Sequence, residues 1–237
     1  MKKKMDCFGF TPKKEGDIIY SLDFAKHVVL ATGIMDVQPK IGEKIEAFFP
    51  FANRGDLIYC VRCDGHKTFG KSLSILGNKD SAIYIGKLMA ERYHHDQIAI
   101  LTTGLPTQFS QKALDLVQKY HIEIYESPIE SILGDPKVSL EGFLLEDGTR
   151  VPTQMSIVAL GIIPYNQLLV DLGGKVDSEG RAIVDQKYQS NIENFFVVGD
   201  LVSGKKMQIY TVWDQAVDAA DEINRRVRAA KATHSNE

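Results

Sequence analysis

The chain has 237 residues, of which 25% are charged and 44% hydrophobic, and 28 Lys and Arg against 31 Asp and Glu leave a formal net charge of −3. These proportions exclude a disordered tail protein and argue against a nucleic-acid binder that works through a general basic surface. No apolar stretch approaches the roughly 20 residues that cross a bilayer, and residues 6–17 lack the apolar run of an export signal, so we expect a cytoplasmic protein that does not enter a membrane.

Short runs rich in Val, Ile and Leu predict buried strands, with helical patterns between them. Continuous apolar strands of this kind are typical of parallel sheets that are covered on both faces. The predicted strands are residues 27–31, 73–76, 97–102, 156–160 and 195–198.

Two helices are predicted beside the second and third of these strands. Residues 80–93 place Ile85, Leu88, Met89 and Tyr93 on one helical face, and residues 109–120 repeat the pattern. Strands and helices that alternate in this way indicate a βαβ layout, so we expect an α/β fold.

The pattern changes in residues 138–151, where apolar and polar positions alternate and Asp147-Gly148 supplies a tight turn. We expect a small antiparallel meander there. Residues 213–231 carry apolar residues at helical spacing and end in several cations, which favour the C-terminus of a helix. They predict a docked terminal helix.

The clearest chemical signal is the C-x-x-C that Cys60 and Cys63 form. A helical turn brings thiols at this spacing within bonding reach, and a helix N-terminus or a cation such as Arg62 stabilises the thiolate. Asp64 is placed to move the proton that thiol chemistry requires. The alternatives are two structural thiols or a zinc half-site, but zinc needs two further ligands and only His66 is close in sequence, so we expect no metal.

Four segments, in the expected order, resemble landmarks of the low-molecular-weight thioredoxin reductases. Residues 60–65, Cys-Val-Arg-Cys-Asp-Gly, are similar to the C-A-T-C-D-G redox centre of that family. Residues 29–33 resemble its A-T-G segment, and residues 159–164 resemble the segment where the chain leaves the nicotinamide domain. Residues 196–200 resemble the G-D segment that holds the flavin ribityl chain. The likeness covers nearly the whole chain.

The resemblance implies a flavin-dependent disulfide oxidoreductase. Cys60 would exchange with the disulfide of a thioredoxin-like protein, Cys63 would face the flavin, and Asp64 would donate and accept the proton. The family also implies a homodimer. The residues that would contact FAD are Thr32, Gly33, Gly199, Asp200, Gln208 and Ile209.

The resemblance further implies two Rossmann-like dinucleotide-binding domains, each with three layers. Residues 1–52 and 163–237 would form an FAD-type domain, and residues 53–162 an inserted NAD(P)-type domain that carries the C-x-x-C. We expect the FAD-type domain to be incomplete at its N-terminus, because no two of the 19 glycines are separated by a single residue and the G-x-G-x-x-G turn is therefore missing.

A second fingerprint is present in altered form at the start of the helix predicted from residue 80. Gly77 keeps the tight turn and Ala82 keeps the helix-to-strand packing, but Lys79 replaces the glycine that lets the backbone meet the pyrophosphate. A lysine there either binds phosphate by charge or blocks the site. The candidate nucleotide-binding residues are Gly77, Asn78, Lys79, Asp80, Ser81 and Ala82.

Residues 101–104, Leu-Thr-Thr-Gly, lack the basic cluster that holds the 2′-phosphate in NADPH-using members, and they also lack the acidic residue of an NAD site. The sequence therefore favours neither NADPH nor NADH as the reductant. Because of these departures a second hypothesis stands beside the enzyme: a binding or regulatory module, or a fragment, that keeps the fold without flavin. His94-His95-Asp96 follows a predicted helix and is expected to form a solvated loop.

Overall fold

A computed structural model describes residues 2–4, 7–10 and 23–234. The strands of this part of the chain are β1 (Lys2–Lys4), β2 (Cys7–Phe10), β3 (Asp23–Ala25), β4 (Val28–Leu30), β5 (Ile34–Asp36), β6 (Leu57–Ile58), β7 (Leu73–Leu76), β8 (Ile98–Leu101), β9 (Glu123–Tyr125), β10 (Ile129–Asp135), β11 (Ser139–Leu145), β12 (Arg150–Pro152), β13 (Met155–Val158), β14 (Ile162–Pro164) and β15 (Phe195–Val197). The α-helices are α1 (Phe49–Arg54), α2 (Val61–Asp64), α3 (Asp80–Arg92), α4 (Gln111–Lys119), α5 (Gln167–Asp171) and α6 (Ile209–His234).

The chain divides into two compact units, the first formed by Met1–Met35 and Ile162–Glu237 and the second by Asp36–Gly161. The sequence places the first boundary after residue 52. The structure differs because Phe48 and Phe51 are buried in the core of the second unit, so the segment that carries them folds with that unit.

The second unit is built on a five-stranded parallel sheet with the strand order β6-β13-β7-β8-β9. Every residue of β7, β8 and β13 is buried, which explains why these strands appear in the sequence as largely apolar runs. The two polar residues in them, Ser74 and Ser156, are hydrogen-bonded to each other at 2.8 Å. The Rossmann-like α/β fold is thus confirmed for this unit. The predicted strands at residues 73–76, 97–102 and 156–160 are confirmed to within two residues at each end.

Alternate residues of the parallel sheet face two different layers. Ile75, Ile100 and Ile157 pack against α3 and α4 on one face. Leu76 and Leu101 face the other way, toward the three-stranded antiparallel sheet β10-β11-β12. Its strands β11 and β12 form the predicted meander of residues 138–151, and β10 lies before the predicted segment. The period of two along a strand therefore produces the three-layer arrangement of helices, parallel sheet and meander.

The helix α3 is confirmed, but its predicted apolar face is partly wrong. Its buried residues are Ala82, Ile83, Gly86 and Met89, whereas Leu88 is 39% exposed. The helix turns its glycine toward the sheet: a Cβ on Gly86 would lie 2.9 Å from the Cδ1 of Ile122. A hydrophobicity pattern does not indicate a buried helix face whose central residue is a glycine.

The first unit has a smaller parallel pair in which β4 pairs with β15, with Val28 opposite Phe195 and Leu30 opposite Val197. Its core contains these strands together with Ala219, through which α6 docks as the sequence predicts. The antiparallel sheet β1-β2-β3 lies in the same unit, and β5 pairs with β14. No helix of the described residues is long and apolar enough to cross a membrane.

Candidate active site

The C-x-x-C lies where β6 leads into the short helix α2. Cys60 is extended at the N-cap position, and its carbonyl accepts the backbone N–H groups of Cys63 and Asp64 at 3.2 and 3.0 Å. This single turn places the two Cα atoms 5.3 Å apart, and Cys60 and Cys63 form a disulfide. The spacing of two residues therefore produces the bonding distance that the sequence predicts.

The two sulfur-bearing residues differ in their surroundings. Cys63 is exposed, whereas Cys60 is half-buried and its Sγ accepts the backbone N–H of Cys63 at 3.2 Å. After reduction, a thiolate on Cys60 would keep this donor, and a hydrogen bond to an ionised acceptor is stronger than one to a neutral acceptor. The arrangement supports reversible thiol–disulfide chemistry at the protein surface.

Two further side chains adjoin the disulfide. The carboxylate of Asp64 is half-buried and forms an ion pair with Lys67 at 2.6 Å. The hydroxyl of Tyr59 donates to Gln38 at 2.6 Å, and burial together with the nearby Asp36 charge raises the pKa of Tyr59. The phenol therefore stays protonated at neutral pH, and Asp64 is the carboxylate that follows Cys63 directly.

The altered fingerprint lies in the same unit, in the turn between β7 and α3. Gly77 is required there, because a Cβ on it would lie 2.9 Å from the carbonyl oxygen of Ala159 and 3.0 Å from the Cβ of Ala82. The carboxylate of Asp80 accepts the backbone N–H and the hydroxyl of Ser110 at 2.7 and 2.6 Å. The start of α3 is thereby fixed to the start of α4, and these hydrogen bonds lower the pKa of Asp80.

The segment that follows β8 does not fit an adenosine 2′-phosphate. The side chain of Thr102 is fully buried and its hydroxyl donates to the carbonyl of Glu126 at 3.1 Å. Thr103 and Gly104 come next, with φ angles of 57° and 77°, and neither carries a charge. Among the candidate residues only Lys79 is cationic, and it lies at the position where the fingerprint needs a glycine.

The FAD candidates lie in the first unit, and four of them meet at one edge of its parallel pair. Thr32 and Gly33 follow β4, and Gly199 and Asp200 follow β15, so both pairs lie beyond the carboxyl ends of neighbouring strands. Ligands of open α/β sheets bind at this edge. The hydroxyl of Thr32 is already engaged, since it donates to the carbonyl of Tyr165 at 2.6 Å.

Asp200 presents a carboxylate at this strand edge. It is half-buried in the turn Gly199–Leu201, and no hydrogen bond within the described part of the chain reaches its carboxylate. Gly199 has a φ of 88°, which favours glycine, so the strand can turn sharply and present Asp200 at its end. Gln208 is half-buried and Ile209 is 71% exposed at the start of α6. The strand end therefore fits the ribityl chain of FAD.

Gln215 is a residue that the sequence interpretation misses. Its side chain is fully buried and its Oε1 accepts the backbone N–H of Gly199 at 2.6 Å, which fixes the turn before Asp200. Its Nε2 has no hydrogen-bond partner within the described residues. The available signal is its position four residues before the buried Ala219, which places a polar amide on the apolar face of α6.

His95 is the exception to the solvated loop predicted after α3. His94 and Asp96 are exposed, but the His95 ring is partly buried and its Nδ1 lies 3.0 Å from the carbonyl oxygen of Lys71. Because a carbonyl oxygen only accepts hydrogen bonds, Nδ1 of His95 carries the proton. The buried Nε2 carries no proton and has no hydrogen-bond partner within the described residues. Burial lowers the pKa of His95 below its ordinary value of 6.5.

This burial predicts an acid-sensitive fold. As the pH falls below about 6.5, the unfolded chain takes up a proton on His95 before the folded chain does, so the free energy of unfolding decreases until the lower folded-state pKa is passed. We expect His95→Gln to flatten the dependence of the urea midpoint on pH between 7 and 5. The exposed neighbour gives the control, His94→Gln, which should keep the wild-type slope; equal slopes in all three proteins would contradict the assignment.

No group of three or more His, Cys, Asp or Glu side chains within the described residues is placed to hold a metal ion. The candidate residues otherwise fall into two sets. Cys60, Cys63, Asp64 and the fingerprint turn belong to the second unit, and the FAD candidates belong to the first.

Comparison with known proteins gives a consistent result. The sequence model of a family described as pyridine nucleotide-disulphide oxidoreductase matches residues 13–221. A thioredoxin reductase of Listeria monocytogenes is 26% identical over 193 residues, which is 79% of this chain and 58% of the relative. A thioredoxin reductase of Mycoplasma genitalium is 26% identical over 209 residues, which is 84% of this chain and 63% of the relative. The chain thus spans about six tenths of the length of these relatives.

The fold is also found among solved structures. The thioredoxin reductase of Streptococcus pyogenes superposes with a TM-score of 0.74 at 19% identity, covering 94% of this chain and 74% of that chain. At this level of identity the likeness shows the architecture, which agrees with the predicted α/β, Rossmann-like fold class.

Proposed function

The chain belongs to the pyridine nucleotide-disulphide oxidoreductase family, and from that premise we propose that it is a flavin-dependent disulfide oxidoreductase of the thioredoxin reductase kind. The observation that carries the proposal is the Cys60–Cys63 disulfide, with Cys63 exposed, in a C-x-x-C-D-G turn. A surface disulfide closed within one turn needs no large rearrangement to open and close. We assign the unit of Asp36–Gly161 as the NAD(P)-type domain and the other unit as the FAD-type domain.

The dithiol acts by two successive exchanges. The thiolate of Cys60 attacks one sulfur of the partner's disulfide, and the partner's other sulfur leaves as a thiolate that takes up a proton. The thiolate of Cys63 then attacks the Sγ of Cys60, which releases the second partner thiol and restores the Cys60–Cys63 disulfide. One electron pair has passed to the partner. Asp64, beside Cys63, exchanges the proton that leaves or joins a thiol in each step.

The first unit supplies the residues that would hold FAD. Asp200 would accept hydrogen bonds from ribityl hydroxyl groups, and the backbone around Thr32 and Gly199 would line the same strand edge, with Gln208 and Ile209 beside the ring. When it is bound, FAD supplies the electron pair that reduces the disulfide. Since the residues after β8 do not fit the phosphate of NADPH, no step is assigned to that nucleotide, and we propose another electron donor.

The partner we propose is a thioredoxin-like C-x-x-C protein, in the cytoplasm, where thiols are kept reduced. A homodimer belongs to the same proposal. It is supported by an apolar stripe on α6, where Tyr210, Trp213 and Val217 are 61%, 69% and 62% exposed at helical spacing. Exposed stripes of this kind are typical of protein interfaces.

A single-turnover exchange tests the function without requiring a flavin. The chain is reduced with dithiothreitol, desalted and mixed with oxidised thioredoxin, and the thiols of both proteins are alkylated and counted by mass spectrometry. We expect thioredoxin to gain two thiols as the chain loses two. Oxidised thioredoxin that stays unchanged in the presence of the reduced chain would contradict the proposal.

A further inference from the structure

The surroundings of the disulfide differ in charge from the protein as a whole. The chain has a net charge of −3, but residues 60–71 carry Arg62, Lys67 and Lys71 against Asp64, which gives 3 − 1 = +2 with His66 neutral. The one acid of this segment is already offset, because its carboxylate pairs with Lys67 at 2.6 Å. The segment that carries the disulfide therefore has a local excess of positive charge.

The fold keeps these cations at the surface. After α2 the chain makes a 3₁₀ turn, Gly65–Thr68, whose first and last residues are buried, and the hydroxyl of Thr68 donates to the carbonyl of Gly65 at 2.7 Å. A Cβ on Gly65 would lie 3.7 Å from both Met89 and Tyr93, so the inner side of the turn packs on the end of α3. The side chains of Arg62, His66 and Lys67 are consequently left exposed.

Charges on the adjoining end of α3 do not cancel this surface. Glu91 pairs with Lys87 at 3.7 Å and accepts the hydroxyl of Tyr120. Arg92 and Asp96 are both exposed and offset each other in charge. Asp36, whose charge raises the pKa of Tyr59 beside Cys60, is one further acid, and counting it leaves 2 − 1 = +1 for the segment and these neighbours.

An aromatic side chain lies in the same segment. Phe69 follows the 3₁₀ turn directly and is 65% exposed, between Lys67 and Lys71 in sequence. An exposed aromatic ring flanked by cations is a typical anchor for a protein partner, since the ring supplies apolar contact and the charges set orientation.

We propose that this basic collar, defined as Arg62, His66, Lys67 and Lys71 around the disulfide, selects partner proteins whose own disulfide lies in an acidic surface with an apolar patch for Phe69. The inference rests on the proposed function and names the chemistry of its partner. Because Arg62, His66 and Lys67 are exposed and Lys71 is partly exposed, the charges of the collar act mainly on the rate of association and are screened by salt. Electrons pass to the partner by the two thiol–disulfide exchanges of the proposed function.

The test compares two engineered forms of one oxidised thioredoxin, one with Glu and one with Lys substituted at the rim of its disulfide. Wild-type chain, reduced with dithiothreitol and desalted, should exchange with the acidic form about 10-fold faster or more at low ionic strength, and the difference should shrink as salt is added. The double variant Lys67→Glu with Lys71→Glu should reverse the preference.

Matched controls separate the collar from net charge and from thiol reactivity. Lys112→Glu with Lys137→Glu makes the same change in charge at exposed positions on α4 and in the turn between β10 and β11, and it should keep the wild-type preference. Hydroxyethyl disulfide, which is small and neutral, measures the thiol reactivity of each variant, because Lys67→Glu removes the ion-pair partner of Asp64. The preference is therefore taken as the ratio of the two thioredoxin rates, from which a change in thiol reactivity cancels. Phe69→Ala should slow exchange with both thioredoxins while leaving their ratio unchanged.

Equal rates for the two thioredoxins would overturn the proposal that the collar selects the partner. The same loss of preference in the Lys112/Lys137 control would also overturn it. Either result would leave the proposed function intact. Reaction with hydroxyethyl disulfide but with neither thioredoxin would overturn the proposed function, and the collar with it.

Discussion

A Cys63→Ser variant, reduced and mixed with oxidised thioredoxin, is expected to accumulate a mixed disulfide between its Cys60 and the partner. Cys60 retains the N–H of residue 63 as a donor to its sulfur, so attack on the partner can proceed, but the second thiolate that resolves the intermediate is missing. Cys60→Ser is expected to lower the transfer of electrons to thioredoxin to the rate without protein. Intact-mass spectrometry after acid quenching measures both outcomes.

Both variants remove a disulfide across a single turn, so their thermal unfolding should be compared with that of the reduced wild type. If the two differ little in stability, a loss of exchange reflects chemistry. The reverse pattern, with a trapped adduct on Cys63 and none on Cys60, would show that the more exposed residue is the one that attacks, and would contradict the assigned roles.

The second large effect is expected at Asp200. Its carboxylate is half-buried and unpartnered within the described residues, so it is available for ligand hydroxyl groups, and a hydrogen bond to a charged group contributes about 1.5–3 kcal/mol. Asp200→Ala should therefore weaken FAD binding by about 10- to 100-fold, measured by the quenching of flavin fluorescence on titration.

The matched control for this prediction is Glu193→Ala, which removes an exposed carboxylate just before β15 and should leave FAD affinity unchanged. Equal affinity of the wild type and Asp200→Ala would show that the strand end does not hold the flavin. Equal losses in both variants would assign the effect to net charge.

The sequence predicts the parallel sheet well for a physical reason. The strands β7, β8 and β13 are buried on both faces, and strands buried in this way are rich in apolar residues. The C-x-x-C is equally accessible to prediction, because its geometry is set by one local turn.

Features that depend on tertiary contacts were not predictable. The buried face of α3 is centred on Gly86. This glycine packs against Ile122, which is distant in sequence. The division between Met35 and Asp36 differs from the boundary expected after residue 52, because Phe48 and Phe51 join a core that the sequence pattern does not assign to them. The role of Gln215 is not evident from the sequence, because its hydrogen-bond partner is the backbone N–H of a residue sixteen positions away.

The same limit applies to the nucleotide site. The sequence leaves open whether Lys79 binds phosphate or blocks it, and the structure adds that Thr102, at the next strand end, turns its hydroxyl inward to Glu126. The side chains needed for a 2′-phosphate are absent from the described turn. The electron donor is thus a feature in which we expect this chain to differ from the NADPH-using members of the family that its sequence resembles.

The most direct measurement is an anaerobic titration of the flavin-loaded chain with dithionite, followed by visible absorption and compared with Cys60→Ser. If the flavin and the Cys60–Cys63 disulfide form one electron path, the wild type should need one more electron pair than the variant before its flavin is fully bleached, and NADPH alone should leave the band unchanged. Identical titrations of the two proteins would contradict the account, and a chain that retains no flavin at all would favour a binding or regulatory module instead.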